Sequence, residues 1–218
     1  MSRAVFTRFL TVLLLLPIAA RLPACPACDG QECPSYAQEA EPSGKIRILV
    51  AHYTRTGHTA RMARGVAEGV AAVPEARAIV KTVGEITKED LEAASGIVLG
   101  APTYFANIPG EMKAEMDKWN WKMEVDFTDK VGGAFATGGG QTGGKEYVVV
   151  SLLLFMLSNR MIVAGPLYEN PETGSIWGEP GSSAMTGPLD PGVSQHQLDA
   201  ARRLGERVAR LAVRMHAP

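Results

Sequence analysis

The segment Tyr53-Thr54-Arg55-Thr56-Gly57-His58-Thr59 sets three threonine hydroxyls, a guanidinium and a glycine between an apolar run, Ile46 to Ala51, and the start of a helical pattern. That order of residue types is suited to holding a phosphate. The first turn of a helix has N–H groups with no intrahelical partner and the positive end of the helix dipole, and both attract an anion. Gly57 lets the backbone come close. Thr54, Arg55, Thr56, Gly57, His58 and Thr59 are therefore candidate phosphate ligands. A nucleoside-triphosphate P-loop would need a Lys-Ser/Thr pair after its glycines, and none follows Gly57. The bland alternative is a threonine-rich helix cap.

Two further groups carry chemistry. Pro102, Thr103, Tyr104, Phe105 and Ala106 form an aromatic loop on a proline-stiffened turn, and rings at a strand end can stack on a flat heterocycle while backbone groups bond its polar edge. Rings that merely plug the loop onto the domain are the alternative. Thr137, Gly138, Gly139, Gly140, Gly143 and Gly144 belong to a stretch with five glycines in nine residues, Ala136 to Gly144, which admits close backbone approach to a ligand and left-handed geometry. A dinucleotide fingerprint would instead follow the first strand of a βαβ unit, with an acidic residue about 20 positions on. No side chain has the pattern of a nucleophile or a metal centre. His58 reads as a loop residue or phosphate neighbour rather than as a general base.

The elements that must position these groups alternate. Short apolar runs at Ile46 to His52, Ala78 to Val83, Gly96 to Gly100, Val131 to Ala136 and Met161 to Ala164 are separated by helical patterns, which predicts βαβ units and a parallel sheet. Met62, Val66, Val70 and Val73 recur at helical spacing before Pro74. Pro109 can start a helix with Met112, Met116 and Trp119 on one face. Ser194 to Gln197 has capping-box spacing ahead of a stripe from Leu198 to Met215. Val148 to Leu157 is apolar apart from Ser151; a helix apolar all round predicts a subunit contact as well as sheet packing, hence a homo-oligomer. In such a doubly wound fold ligands lie at the carboxyl ends of the strands. All three loops fall there.

The chain has 218 residues and a net charge of -1, so it fits one domain with appendages and has no basic stripe of the kind that binds nucleic acid. Residues 1–24 read as an export signal: Arg3 and Arg8 precede an apolar run too short to span a bilayer comfortably. Without that segment the net charge falls from -1 to -4, since Arg3, Arg8 and Arg21 leave with it. All three cysteines, Cys25, Cys28 and Cys33, follow closely, and no fourth ligand stands at the spacing a zinc or iron–sulfur site wants. Residues 25–45 look like a polar tether to a domain over residues 46–218. Pro166 to Val193 has five prolines, five glycines and no periodic pattern, and so long an irregular stretch is usually functional or disordered.

Taken together, the three loops resemble those of WrbA-type NAD(P)H:quinone oxidoreductases in the flavodoxin-like superfamily, over roughly Ile46 to Met215. Tyr53 to Thr59 resembles the FMN-phosphate loop, Gly100 to Asn107 the family's Gly-Thr-Pro-Thr-Arg-Phe-Gly-Asn loop, and Thr137 to Gly144 its glycine-rich flavin loop. Leu22-Pro23-Ala24-Cys25 resembles a lipobox, with proline as a departure. The resemblance implies a flavodoxin-like α/β fold with a five-stranded parallel sheet in the order 2-1-3-4-5 and helices on both faces. It implies bound FMN, NAD(P)H as donor and a quinone or similar acceptor; a non-enzymatic flavodoxin-type electron carrier is the alternative. Trp119 and Trp121 fall where the family has a tryptophan near the flavin. Thr56 stands where it has an aromatic residue, and Ser158-Asn159 where it has a histidine reaching the flavin. The leader implies an exported protein, periplasmic or held at the outer side of the cytoplasmic membrane.

Overall fold

The computed structural model describes residues 45–187 and 192–216; the export leader, the three cysteines and most of the tether lie outside the described residues. Strand β1 (Ile46–His52) is central. Its alternation sends Ile48 and Val50 to one core and Leu49 and Ala51 to the other, as a parallel sheet covered on both faces requires. Strands β2 (Ala76–Thr82), β3 (Gly96–Pro102), β4 (Val131–Gly138) and β5 (Ile162–Val163) complete the order β2-β1-β3-β4-β5, with every pair parallel. The predicted order is the observed one.

Helices α1 (His58–Ala71) and α5 (Gln195–His216) cover one face, burying Met62, Val66, Val70, Leu204 and Val208 against β1 and β3. They pack closely. A Cβ on Gly69 would lie 1.9 Å from the Arg202 carbonyl oxygen, and one on Gly205 2.0 Å from that of Val66. The capping box of α5 is formed: Ser194 N–H donates to Gln197 Oε1 (2.8 Å) and Gln197 N–H to Ser194 Oγ (3.4 Å). Helices α2 (Lys88–Ala93), α3 (Gly110–Trp121) and α4 (Lys145–Ser158) contribute to the other core. Helix α2, capped by Thr87, has only six residues, too few for a periodic signal in the sequence.

The fifth strand departs from expectation. It has two residues, after which the chain leaves the sheet as an antiparallel hairpin, β6 (Leu167–Glu169) and β7 (Ile176–Gly178), and returns as β8 (Ser182–Met185), which pairs parallel with Phe135 to Gly138 of β4. Two short strands thus share one edge of a six-stranded sheet. Pro166 cannot donate to a ladder, and at Gly165 any Cβ would meet the Glu179 carbonyl oxygen at 1.7 Å. Residues 166–187, expected to be irregular, thus contain three short strands. Tyr168 stacks on Trp177 (5.7 Å, 15°), with the Arg203 guanidinium 5.7 Å over the Tyr168 ring.

Trp119, Trp121 and Asn159 lie at or near the far ends of their helices. Helix α3 starts at the carboxyl ends and runs back along the sheet. Trp119, near its far end, is buried edge-on against Phe155 (6.3 Å), and Trp121 is exposed. Asn159 caps the end of α4, its Nδ2 donating to the Phe155 carbonyl (2.8 Å), just before β5 begins. Within one chain these residues face the amino edge of the sheet, opposite the three loops.

Candidate functional site

At the carboxyl ends of β1, β3 and β4 the three loops stand side by side. The β1 loop is tied to its neighbour by the Tyr53 N–H, which donates to the Gly100 carbonyl (3.0 Å). Thr54 Oγ1 accepts from the Gly57 N–H (3.1 Å), so this hydroxyl folds the loop on itself. Gly57 is the N-cap of α1 at φ 89°, a left-handed geometry that costs glycine little, and the Gly57 carbonyl accepts from Arg61 (2.9 Å). Arg55 and Thr56 are exposed, while Gly57 and His58 are half-buried.

The three threonine hydroxyls of this loop are placed differently. Thr59 is buried and its hydroxyl meets that of Thr137 at 2.8 Å. Two predicted site residues, 78 positions apart, are thereby joined under the loops. What Thr59 offers upward is its place in the first turn of α1, where backbone N–H groups have no helical acceptor.

The β3 loop is clamped to the β4 loop. Thr103 N–H donates to the Thr137 carbonyl (2.7 Å). Tyr104 and Asn107 exchange backbone hydrogen bonds (3.0 and 2.9 Å) around Phe105 and Ala106, whose φ values are 49° and 63°. Pro102 closes β3, and Phe105 projects fully into solvent rather than plugging the loop onto the domain. Gly138 ends β4; Gly139 lies against Gly187, and Gly140 accepts from Gly143 (3.4 Å). Gly144 is the N-cap of α4 at φ 94°, and a Cβ there would lie 2.7 Å from both Cα and Cβ of Ala106.

Some of the site was missed by sequence reasoning. Tyr53 Oη donates to Glu111 Oε1 (3.1 Å), and its ring stands edge-on to Tyr104 at 6.2 Å. Burial first, then the neighbouring Tyr104 hydroxyl and the bond to Glu111, push the Tyr53 phenol up to about 12; it stays protonated at neutral pH. Thr186 N–H donates to the Gly138 carbonyl (2.7 Å), and Gly192 lies beside the His58 ring. His52, the last residue of β1, is buried, and burial holds its pKa below the ordinary histidine value. None of these contacts has a local sequence signal, because each joins distant segments.

A flavin phosphate and ring fit this arrangement. Cap glycines in left-handed geometry open α1 and α4, a Cβ at Gly144 would fill the seam between two loops, and the Thr103 hydroxyl is buried at that seam with no hydrogen-bond partner among the described residues. Among the described residues no group of three metal-ligating side chains occurs, and no helix is long and apolar enough to cross a membrane.

Comparison with known proteins identifies the family and the fold. The family described as NADPH-dependent FMN reductase matches residues 80–170. An NAD(P)H dehydrogenase (quinone) of Solidesulfovibrio magneticus is 31% identical over 206 residues, covering 79% of this chain and 100% of that protein. A flavodoxin of Aquifex aeolicus is 30% identical over 75% of this chain and 85% of its own length. Among solved structures, a WrbA-like protein from Agrobacterium tumefaciens superposes with a TM-score of 0.57 at 25% identity, covering 79% of this chain and 99% of that one.

Proposed function

Because the chain belongs to the flavodoxin-like family of WrbA-type NAD(P)H dehydrogenases (quinone), we propose that it is an FMN-dependent oxidoreductase carrying electrons from NAD(P)H to quinones or similar acceptors. The observation that carries this reading is the interlocking of the three loops at the strand ends, through the Thr59–Thr137 hydroxyl pair and the Ala106–Gly144 contact.

The chain's own residues divide the work. The Gly57 turn and the first turn of α1 would hold the phosphate end through backbone N–H groups, with Arg55 and His58 as adjacent charge or hydrogen-bond sources. The 102–106 loop and the glycines of 137–144 would hold the ring system, with the Thr103 hydroxyl, which has no partner among the described residues, available to it. When bound, FMN supplies acceptance of a hydride from NAD(P)H and its delivery to the acceptor; the protein binds, orients and shapes the opening. Tyr53, protonated, can donate a hydrogen bond at that opening but does not titrate near neutral pH.

The exposed stripe Tyr147, Val150, Leu154 and Leu157 on α4 supports a homo-oligomer built on that face. The leader in residues 1–24 supports export, with Cys25 as the residue through which a membrane anchor would attach. Such a position would suit a lipid-soluble quinone.

The test is direct. The purified chain should be yellow with noncovalent FMN, and NADH or NADPH should be oxidised in its presence at a rate that rises with added benzoquinone. Bound FMN with no nicotinamide oxidation would overturn the enzyme reading in favour of a flavodoxin-type electron carrier, flavodoxin being the name of the Aquifex relative. A colourless protein that binds no added FMN would remove both.

A further inference from the structure

The turn at Phe105 and Ala106 is strained in a way that its own residues do not repay. Both lie in the left-handed region, with φ 49° and 63°, inside a two-residue turn closed by the Tyr104–Asn107 bridge. Turns of this hand favour asparagine and glycine, and a bulky residue there is an outlier. The Phe105 side chain gains no packing for the cost, since it is 103% exposed. Such strain persists only where the surroundings over-determine it.

The surroundings that do so are identifiable. At the Ala106 side, Gly144 leaves room for the turn and no more. At the other stem, Tyr104 packs edge-to-face on Tyr53 (6.2 Å, 85°) with its Oη buried. Tyr53 is fixed in turn by its N–H bond to Gly100 (3.0 Å) and its phenol bond to Glu111 in the first turn of α3 (3.1 Å). The loop that this segment resembles carries arginine where Tyr104 stands and glycine where Ala106 stands. This chain has alanine, not glycine, at position 106, and an aromatic residue stands two positions before it.

We propose that Tyr104, Tyr53 and Glu111 are positioning residues that hold the 105–106 turn in its left-handed form ahead of FMN binding, so that the flavin does not bear the cost of ordering it. The proposal rests on the FMN reading above. Without the anchor the turn relaxes when the site is empty, and FMN must reimpose the strain as it binds. A preset turn improves affinity by removing that cost.

The experiment measures FMN affinity by fluorescence quenching, and unfolding midpoints of the flavin-free protein, for the full chain and four variants. Tyr104→Leu should weaken FMN about tenfold, the scale set by one non-glycine residue held in the left-handed region. Its flavin-free unfolding midpoint should hardly move, since strain is released as packing is lost. Tyr53→Phe keeps the ring but loses the Glu111 bond, and should weaken FMN by about threefold. Ala106→Gly alone should bind at least as well as wild type, and Tyr104→Leu/Ala106→Gly should recover part of the loss, because one of the two left-handed residues is then glycine. Affinity within twofold of wild type for Tyr104→Leu, or no recovery in the double variant, would overturn the proposal. Failure of the wild type itself to bind FMN would instead defeat the FMN reading, and this inference with it.

Discussion

Gly57 and Gly144 offer a matched pair for separating backbone strain from steric exclusion. Each is the N-cap of a helix that opens from a site loop, and their φ values, 89° and 94°, are nearly equal. Alanine at either position meets the same backbone penalty, roughly 1–2 kcal/mol for an L-residue in left-handed geometry. The spaces around them differ. A Cβ on Gly57 would find nothing within 4 Å, whereas one on Gly144 would lie 2.7 Å from two carbons of Ala106, one of them backbone. Relieving that overlap means moving one loop against the other, and forced overpacking costs about 1–3 kcal/mol. Gly57→Ala should therefore destabilise the flavin-free protein by roughly 1–2 kcal/mol and Gly144→Ala by about 2–5 kcal/mol. In thermal unfolding of a domain this size, about 2–4 °C accompanies each kcal/mol. The two variants should thus differ by several degrees, Gly144→Ala melting lower. FMN affinity should fall in both. Equal melting temperatures would refute the reasoning, because they would mean that the Ala106 contact constrains nothing.

Other outcomes follow from single contacts. Thr59→Val should cost about 1–3 kcal/mol in urea unfolding, since it leaves the Thr137 hydroxyl buried without its partner, while Thr59→Ser should be milder; equal effects would sink the hydroxyl-pair argument. His52 is held neutral in the fold, chiefly by burial and further by Arg64, against the raising effects of the Lys81 backbone and Glu85. The unfolded chain binds a proton below about pH 6.5 that the folded chain resists, so stability is full above that pH and falls as pH drops through it, by up to about 1.4 kcal/mol per unit. His52→Gln should flatten that slope between pH 6.5 and 5, and an unchanged slope would acquit His52. For the leader, the mass of the mature N-terminus should show loss of the leader, and a lipid on Cys25 would give the anchor as well. An unmodified Met1 or Ser2 would refute export, and a cut without lipid would leave export but no anchor.

The sequence alone determined the sheet and where its ligand loops must be. β1, β3 and β4 are buried on both faces, so they read as apolar runs without need of tertiary context, and the glycine and threonine loops that follow them announce themselves by composition. Local chemistry also placed the cap of α5, since Ser194 and Gln197 lie within one turn of each other. What the tertiary structure decided is how those loops are held. The Thr59–Thr137 pair, the Tyr53–Tyr104–Glu111 anchor and the Ala106–Gly144 contact each join residues tens of positions apart, and no period or motif encodes such a meeting. The divided edge strand was hidden for a related reason. Strands of two and four residues are shorter than any reliable alternation, and it is pairing with β4, rather than their own pattern, that makes Ile162–Val163 and Ser182–Met185 strands. Likewise it is the length of α3, and the point where α4 stops, that carry Trp119, Trp121 and Asn159 of one chain to the amino edge of the sheet, a placement no spacing in the sequence decides.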